Sequence, residues 1–137
     1  MGELIEGKKH NPLLDKSYEF ALLIVKFSRK IQSEQKEFIL SKQVLRSGTA
    51  IGALSEEAQQ AESKADFIHK LSIANKEAHE THYWLRLMQD SNISDEVGDL
   101  ISKSEELKAI TYFNNQEFKI EKSMTVSIIN YPLSIFH

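Results

Sequence analysis

The sequence predicts an all-α fold, an up-down-up-down antiparallel four-helix bundle. Three observations predict it. Between Pro12 and Pro132 there is no proline, and the only glycines there are Gly48, Gly52 and Gly98. Helix breakers are therefore scarce over most of the chain, which favours long helices joined by short polar turns. Apolar and small residues recur at alternating steps of three and four, the helical period. Capping residues precede several of these runs. Each helix carries a stripe that needs burying, which favours a bundle over a single long hairpin.

The first helix is expected over Pro12–Gln32. Asn11 can cap it, and Pro12 suits the first helical position. Asp15, Glu19, Leu22, Lys26 and Lys30 share one stripe. Much of the remaining surface is apolar, from Leu14 and Tyr18 through Phe20, Ala21, Leu23, Ile24 and Val25 to Phe27 and Ile31. A helix this apolar around its circumference is buried on more than one side. A monomeric bundle would leave part of it wet, so a subunit interface is expected here.

The second helix is expected over Glu37–Ala61, with Leu40, Val44, Gly48, Ile51, Ser55 and Ala58 inward. Gly48 and Gly52 lie four apart, on one face, and each costs roughly 1 kcal/mol against alanine in a helix interior. Close helix packing across Gly48, Gly52 and Ser55 offsets that cost. Phe27, Phe67 or Trp84 are the bulky side chains expected to fill the space. A ligand groove is the weaker alternative. A phosphate loop is excluded, because no strand precedes the glycines and the Walker lysine is missing.

The third helix begins after Ser63, whose hydroxyl with Asp66 makes a capping-box-like start. Phe67, Leu71, Ala74, Ala78, Thr81, Leu85 and Met88 form its stripe. The fourth is expected from Ser94, with Val97, Leu100, Ile101, Ser104, Leu107 and Ile110 inward; its pattern loses clarity after Phe113. From Ser123 to Phe136 the chain carries no charge. "SIIN" and "SIFH" nearly repeat there at Ser127 and Ser134, as translated repetitive DNA past an ancestral stop would; an added strand or a docked tail are the alternatives. The chain thus divides into an N-terminal arm (1–11), a bundle (12–122) and an atypical tail (123–137).

Composition narrows the function classes. A length of 137 residues suits one domain. The net charge of −3 counts mildly against a dedicated nucleic-acid binder. The absence of cysteine removes disulfides, thiolate metal sites and cysteine nucleophiles, and suits a cytoplasmic protein. The longest apolar block, Phe20 to Val25, is far too short to span a membrane, and the first residues are not a signal peptide.

No residue set points to catalysis, a metal or a cofactor. His79, Glu80 and His82 cluster, but without Glu-x-x-His or His-Glu-x-x-His spacing, so they read as solvated or interface side chains. Tyr18, Tyr83 and Trp84 could stack on bases, though such aromatics are more often core or interface. Lys26, Arg29, Lys30, Lys36 and Lys42 gather around the first turn and are the candidate phosphate contacts.

The run "LSKQVLRSGTAIGALSEEAQQAESKADFIHKLSIANKEAHETHYWLRLM", Leu40 to Met88, closely resembles the bacterial family named after intervening sequences in 23S ribosomal RNA. "NPLLDKSYEFALLIVKF" fits that family's opening, so the likeness covers about Asn11 to Ile110. The resemblance implies a four-helix bundle, assembly as a homopentamer and no known enzymatic activity. That family is also similar to an accessory protein of diversity-generating retroelements, which works with nucleic acid. This implies RNA or DNA as a partner; a protein partner, with no nucleic-acid contact, is the alternative. Arg46, Glu57, Lys70, Glu77 and Glu80 match polar positions of the family pattern, and are candidates for salt bridges or a polar site at a subunit interface. Three features depart from it: Leu54-Ser55-Glu56 where an asparagine and a basic residue are common, Asn75 where an apolar residue is commoner, and the uncharged tail in place of a lysine-rich end. They weaken the case for a basic surface and leave the fold untouched.

Overall fold

The structure, a computed structural model, describes residues 10–130, and their side chains as far as Gln116. Most of the expected arm and the end of the expected tail lie outside the described residues. Four helices follow one another: α1 (Pro12–Gln35), α2 (Ile39–Gln59), α3 (Lys64–Asp90) and α4 (Gly98–Asn130). Each packs against its neighbours in sequence, and α4 returns to α1. With α1 and α3, and α2 and α4, across the diagonals, the four form a closed antiparallel bundle. Among the described residues, no helix is long and apolar enough to cross a membrane.

The core runs down the bundle axis. Phe20, Ile24 and Ile31 of α1 meet Val44 and Ile51 of α2, Leu85 and Met88 of α3, and Leu107 of α4. The inward stripes of α2 and α3 are buried as expected, except that Leu40 and Phe67 are half-buried. α1 differs in one respect. Tyr18, read as part of its apolar surface, is 64% exposed, and Leu22 is 47% exposed. A helix at the corner of a four-cornered bundle has only two neighbours, so its third side faces out.

The helix ends follow from local chemistry. Asn11 accepts a hydrogen bond from the Leu14 N–H at 3.3 Å, and Pro12 starts α1. α1 runs one turn beyond the expected Gln32 and stops at Lys36, which takes the left-handed conformation at φ 55° and returns its N–H to the Gln32 carbonyl. α2 begins at Ile39 rather than Glu37: Phe38 takes the N-cap position without a side-chain bond, and Glu37, one residue before it, caps the helix with its side chain. Its carboxylate accepts from the N–H groups of Ile39, Leu40 and Ser41 at 3.1, 2.9 and 2.9 Å. Ser63 accepts from the Asp66 N–H at 3.0 Å and starts α3 as anticipated.

α4 begins four residues after the expected Ser94. The Ser94 hydroxyl instead closes a turn by accepting from the Glu96 N–H at 3.1 Å. Asn92 is left-handed at φ 61°, and the Ile93 N–H returns to the Met88 carbonyl. This tight wrap leaves no room for an earlier helical turn. At its other end α4 continues past Phe113 and through Asn114 and Asn115 to Asn130. Asn115 is buried and donates to the Ser72 hydroxyl at 2.8 Å, so a polar residue occupies a core position there. Residues 123–130 of the uncharged stretch are therefore helical.

Candidate interaction surfaces

Gly48 and Gly52 face α1. A Cβ at Gly48 would lie 2.9 Å from both γ carbons of Ile24. At Gly52 it would lie 3.3 Å from the Ser17 carbonyl oxygen. The two glycines do different things: Gly48 receives the Ile24 side chain, and Gly52 lets two backbones approach. The filler is Ile24, in place of the expected Phe27, Phe67 or Trp84. Ser55 is buried and donates to the Ile51 carbonyl at 2.7 Å, so its hydroxyl is satisfied within its own helix.

On the outer side of this seam the small residues leave a groove of about 250 Å³. Tyr18 and Ala21 line one wall, and Thr49, Gly52, Ala53 and Glu56 the other. The groove lies beside the exposed face of α1.

The five polar candidates join α2 to α3 within one chain. Arg46 lies 3.2 Å from the Glu77 carboxylate and also pairs with Glu80. Lys70 lies 3.2 Å from Glu57. The i,i+3 spacing of Glu77 and Glu80 puts both carboxylates beside one guanidinium. Burial disfavours the Arg46 charge, but the two carboxylates outweigh it and hold the guanidinium pKa above its ordinary value. These residues form a ladder along the seam. Below it, the Thr81 hydroxyl donates to Ser47 at 2.9 Å inside the core.

The basic candidates do not form one patch. Lys30 is 2.6 Å from Glu96, in the turn that leads into α4. Its ammonium is held charged above its ordinary pKa by that hydrogen bond and by the Glu96 and Glu34 charges. Among the described residues, Lys26, Arg29, Lys36 and Lys42 make no ion pair and are exposed. Of the aromatic candidates, Tyr83 and Trp84 meet edge to face with ring centroids 5.2 Å apart, and Tyr18 stands apart from them. Trp84 packs against the core, while Tyr83 and Tyr18 are exposed on different helices.

His82 is nearly buried and 2.9 Å from Glu105 of α4. His79 is exposed, and burial, Lys108 and His82 together push its pKa below the ordinary value. Among the described residues no group of three or more His, Asp or Glu side chains could hold a metal ion. Asn75, which departs from the family pattern, ties α3 to α4: its amide donates to the Lys108 carbonyl at 2.9 Å and to the Thr111 hydroxyl at 3.0 Å.

Two features escaped the sequence reading. One is the Glu37 cap, whose signal was an acidic residue just ahead of the α2 stripe. The other is an apolar cleft of about 740 Å³ at the end of the bundle where α1 starts. Leu13, Phe67, Ile110 and Phe113 line it. It exists because α4 runs on beyond the start of α1, a difference in helix length that no local pattern records.

The family model of the 23S rRNA-intervening sequence proteins matches residues 9–113, which take in α1 to α3 and the first half of α4. The chain belongs to this family. It is also similar to a crystal structure from Bacteroides thetaiotaomicron, described as a protein with unknown function from the S23 ribosomal protein family. The two are 48% identical and superpose with a TM-score of 0.71, over 72% of this chain and 94% of the other. No curated protein matches the chain.

Proposed function

We propose that this chain is a non-catalytic, self-associating helical module whose role is interaction. The observation that carries this reading is the outward face of α1. Tyr18 and Leu22 stand exposed there beside the small-residue groove of α2. Large exposed apolar side chains set together mark interaction surfaces. Arg46, Lys70 and Lys30 are held by carboxylates of the same chain and are not free for a polyanion.

The family resemblance sets the expected count at five copies. Light scattering on the purified protein, with absorbance read at 260 and 280 nm across the same peak, tests the reading. A multimer with clean protein absorbance supports it, and a monomer at micromolar concentration refutes it.

A nucleic-acid-associated role is the second reading. Lys26, Arg29, Lys36 and Lys42, which lack ion pairs among the described residues, favour it. It expects excess 260 nm absorbance and binding to polynucleotide that weakens steeply with salt, because phosphate contacts release counterions.

A further inference from the structure

The exposed face of α1 has a counterpart at the far end of the bundle. The turn from α1 to α2 carries Phe38 and Ile39 outward, 46% and 76% exposed, and among the described residues Ile39 is the most exposed large apolar side chain. The local structure holds them there. Lys36 ends α1 in the left-handed conformation and α2 starts three residues later, so the chain reverses at the tip of the bundle, away from the core. Lys36 precedes Ile39 by three residues and Lys42 follows it by three. Both lysines are exposed and, among the described residues, make no ion pair. Of the acids close in sequence, Glu37 is engaged by the first N–H groups of α2, and the Glu34 charge acts on Lys30. The tip is an apolar knob between two cations.

The outward face of α1 is its opposite in shape and charge. A hollow of about 760 Å³ opens there, lined by the apolar side chains of Leu14, Tyr18 and Leu22 and by the carboxylates of Asp15, Glu19 and Glu56. It joins the small-residue groove at Tyr18 and Glu56. Asp15 pairs with the exposed His10 at 3.0 Å, while among the described residues Glu19 and Glu56 make no ion pair. The knob cannot fill the hollow of its own chain. Lys36 lies 18 residues along α1 from Tyr18, roughly 27 Å at 1.5 Å per residue.

We infer that the α1–α2 turn of one copy docks in the α1 hollow of the next, with Phe38 and Ile39 against Tyr18 and Leu22, and Lys36 and Lys42 against Glu19 and Glu56. The inference rests on the self-association reading and adds the surface that the α1 face receives. The occupant is a second copy, because the same chain supplies an apolar hollow with excess acid and an apolar knob with excess base. A polyanion would match the two lysines but not Phe38 and Ile39, and the carboxylates of the hollow would repel it. The giving and receiving surfaces differ, so the contact is heterologous. Such contacts form rings wherever the rotation closes, odd copy numbers included.

The test is charge reversal on each surface and then on both. Lys36→Glu with Lys42→Glu makes the knob acidic, and Glu19→Lys with Glu56→Lys makes the hollow basic. Each pair alone sets like charges together. Each is expected to weaken assembly at least tenfold, read by light scattering as dissociation to single chains. The chain carrying all four reversals sets opposite charges together again and is expected to regain the wild-type mass. All four side chains are exposed, and circular dichroism checks the fold of each variant. Because the chain has no cysteine, thiols can also be placed at will. A chain with both Leu22→Cys and Ile39→Cys should give a ladder of covalent oligomers with a short bis-maleimide, and a chain with either change alone should give none.

A multimer whose mass neither reversal changes, a fourfold reversal that stays dissociated, or coupling of Leu22→Cys alone would overturn the docking surface and leave self-association standing. A wild-type multimer that nuclease dissolves would overturn it too, since the lysines would then be holding a polyanion. A monomeric wild type would remove both readings.

Discussion

Replacing Gly48 tests the packing of α1 on α2 at one atom. A methyl group there would sit 2.9 Å from both γ carbons of Ile24, where ordinary contacts are 3.4–4 Å. Ile24 is fully buried, so it has nowhere to swing. Overpacking of this kind costs about 1–3 kcal/mol. Alanine also recovers roughly 1 kcal/mol of helix propensity. Gly48→Ala should therefore lose up to about 2 kcal/mol net, and Gly48→Leu, with three more carbons in filled space, at least about 2 kcal/mol. Urea unfolding measures both, with the slope unchanged and the midpoint lowered. Ile24→Ala completes a cycle. Alone it should cost about 2–5 kcal/mol. In the Gly48→Ala background it should cost less, by about 1 kcal/mol or more, because the two side chains compete for one space. Gly98 is the control: a Cβ there meets nothing within 4 Å, so Gly98→Ala should stabilise by up to about 1 kcal/mol. If Gly48→Ala gained as much as Gly98→Ala and did not couple to Ile24, the packing argument would be wrong.

Three further outcomes follow from the seams. Burial raises the Glu37 carboxyl pKa, but the Leu40, Ser41 and Ile39 N–H groups and the Ser41 hydroxyl outweigh it and hold the group below its ordinary value. Its stabilisation is therefore complete above the unfolded carboxyl pKa, about 4.3, and is lost as pH falls through the lower folded value. Glu37→Gln should cost about 1 kcal/mol at neutral pH and flatten the acid limb of the stability profile seen by thermal melts. Asn75→Ala removes two hydrogen bonds between α3 and α4 and should cost about 1–2 kcal/mol in chemical denaturation. Arg46→Ala should cost under about 1 kcal/mol, since its side chain is 52% exposed; the loss should shrink in high salt, and a larger, salt-independent loss would show that the guanidinium acts through packing.

The sequence by itself determined the four helices, their order and most of their inward faces. The period of apolar and small residues is a local property, and burial then follows wherever such a stripe has a neighbour. Leu71, Ala78 and Leu85 are buried for that reason. It also marked Gly48 and Gly52 as a face needing close contact. Tertiary structure decided the partners. Which side chain fills the space at Gly48 depends on how α1 crosses α2, and the answer was Ile24. Arg46 found Glu77 and Glu80, residues 31 and 34 positions away, because antiparallel packing brings those turns to one height. The same geometry left Tyr18 outside. α1 lies side by side with only two helices, and the width of its buried stripe is set by how many neighbours a bundle of four provides.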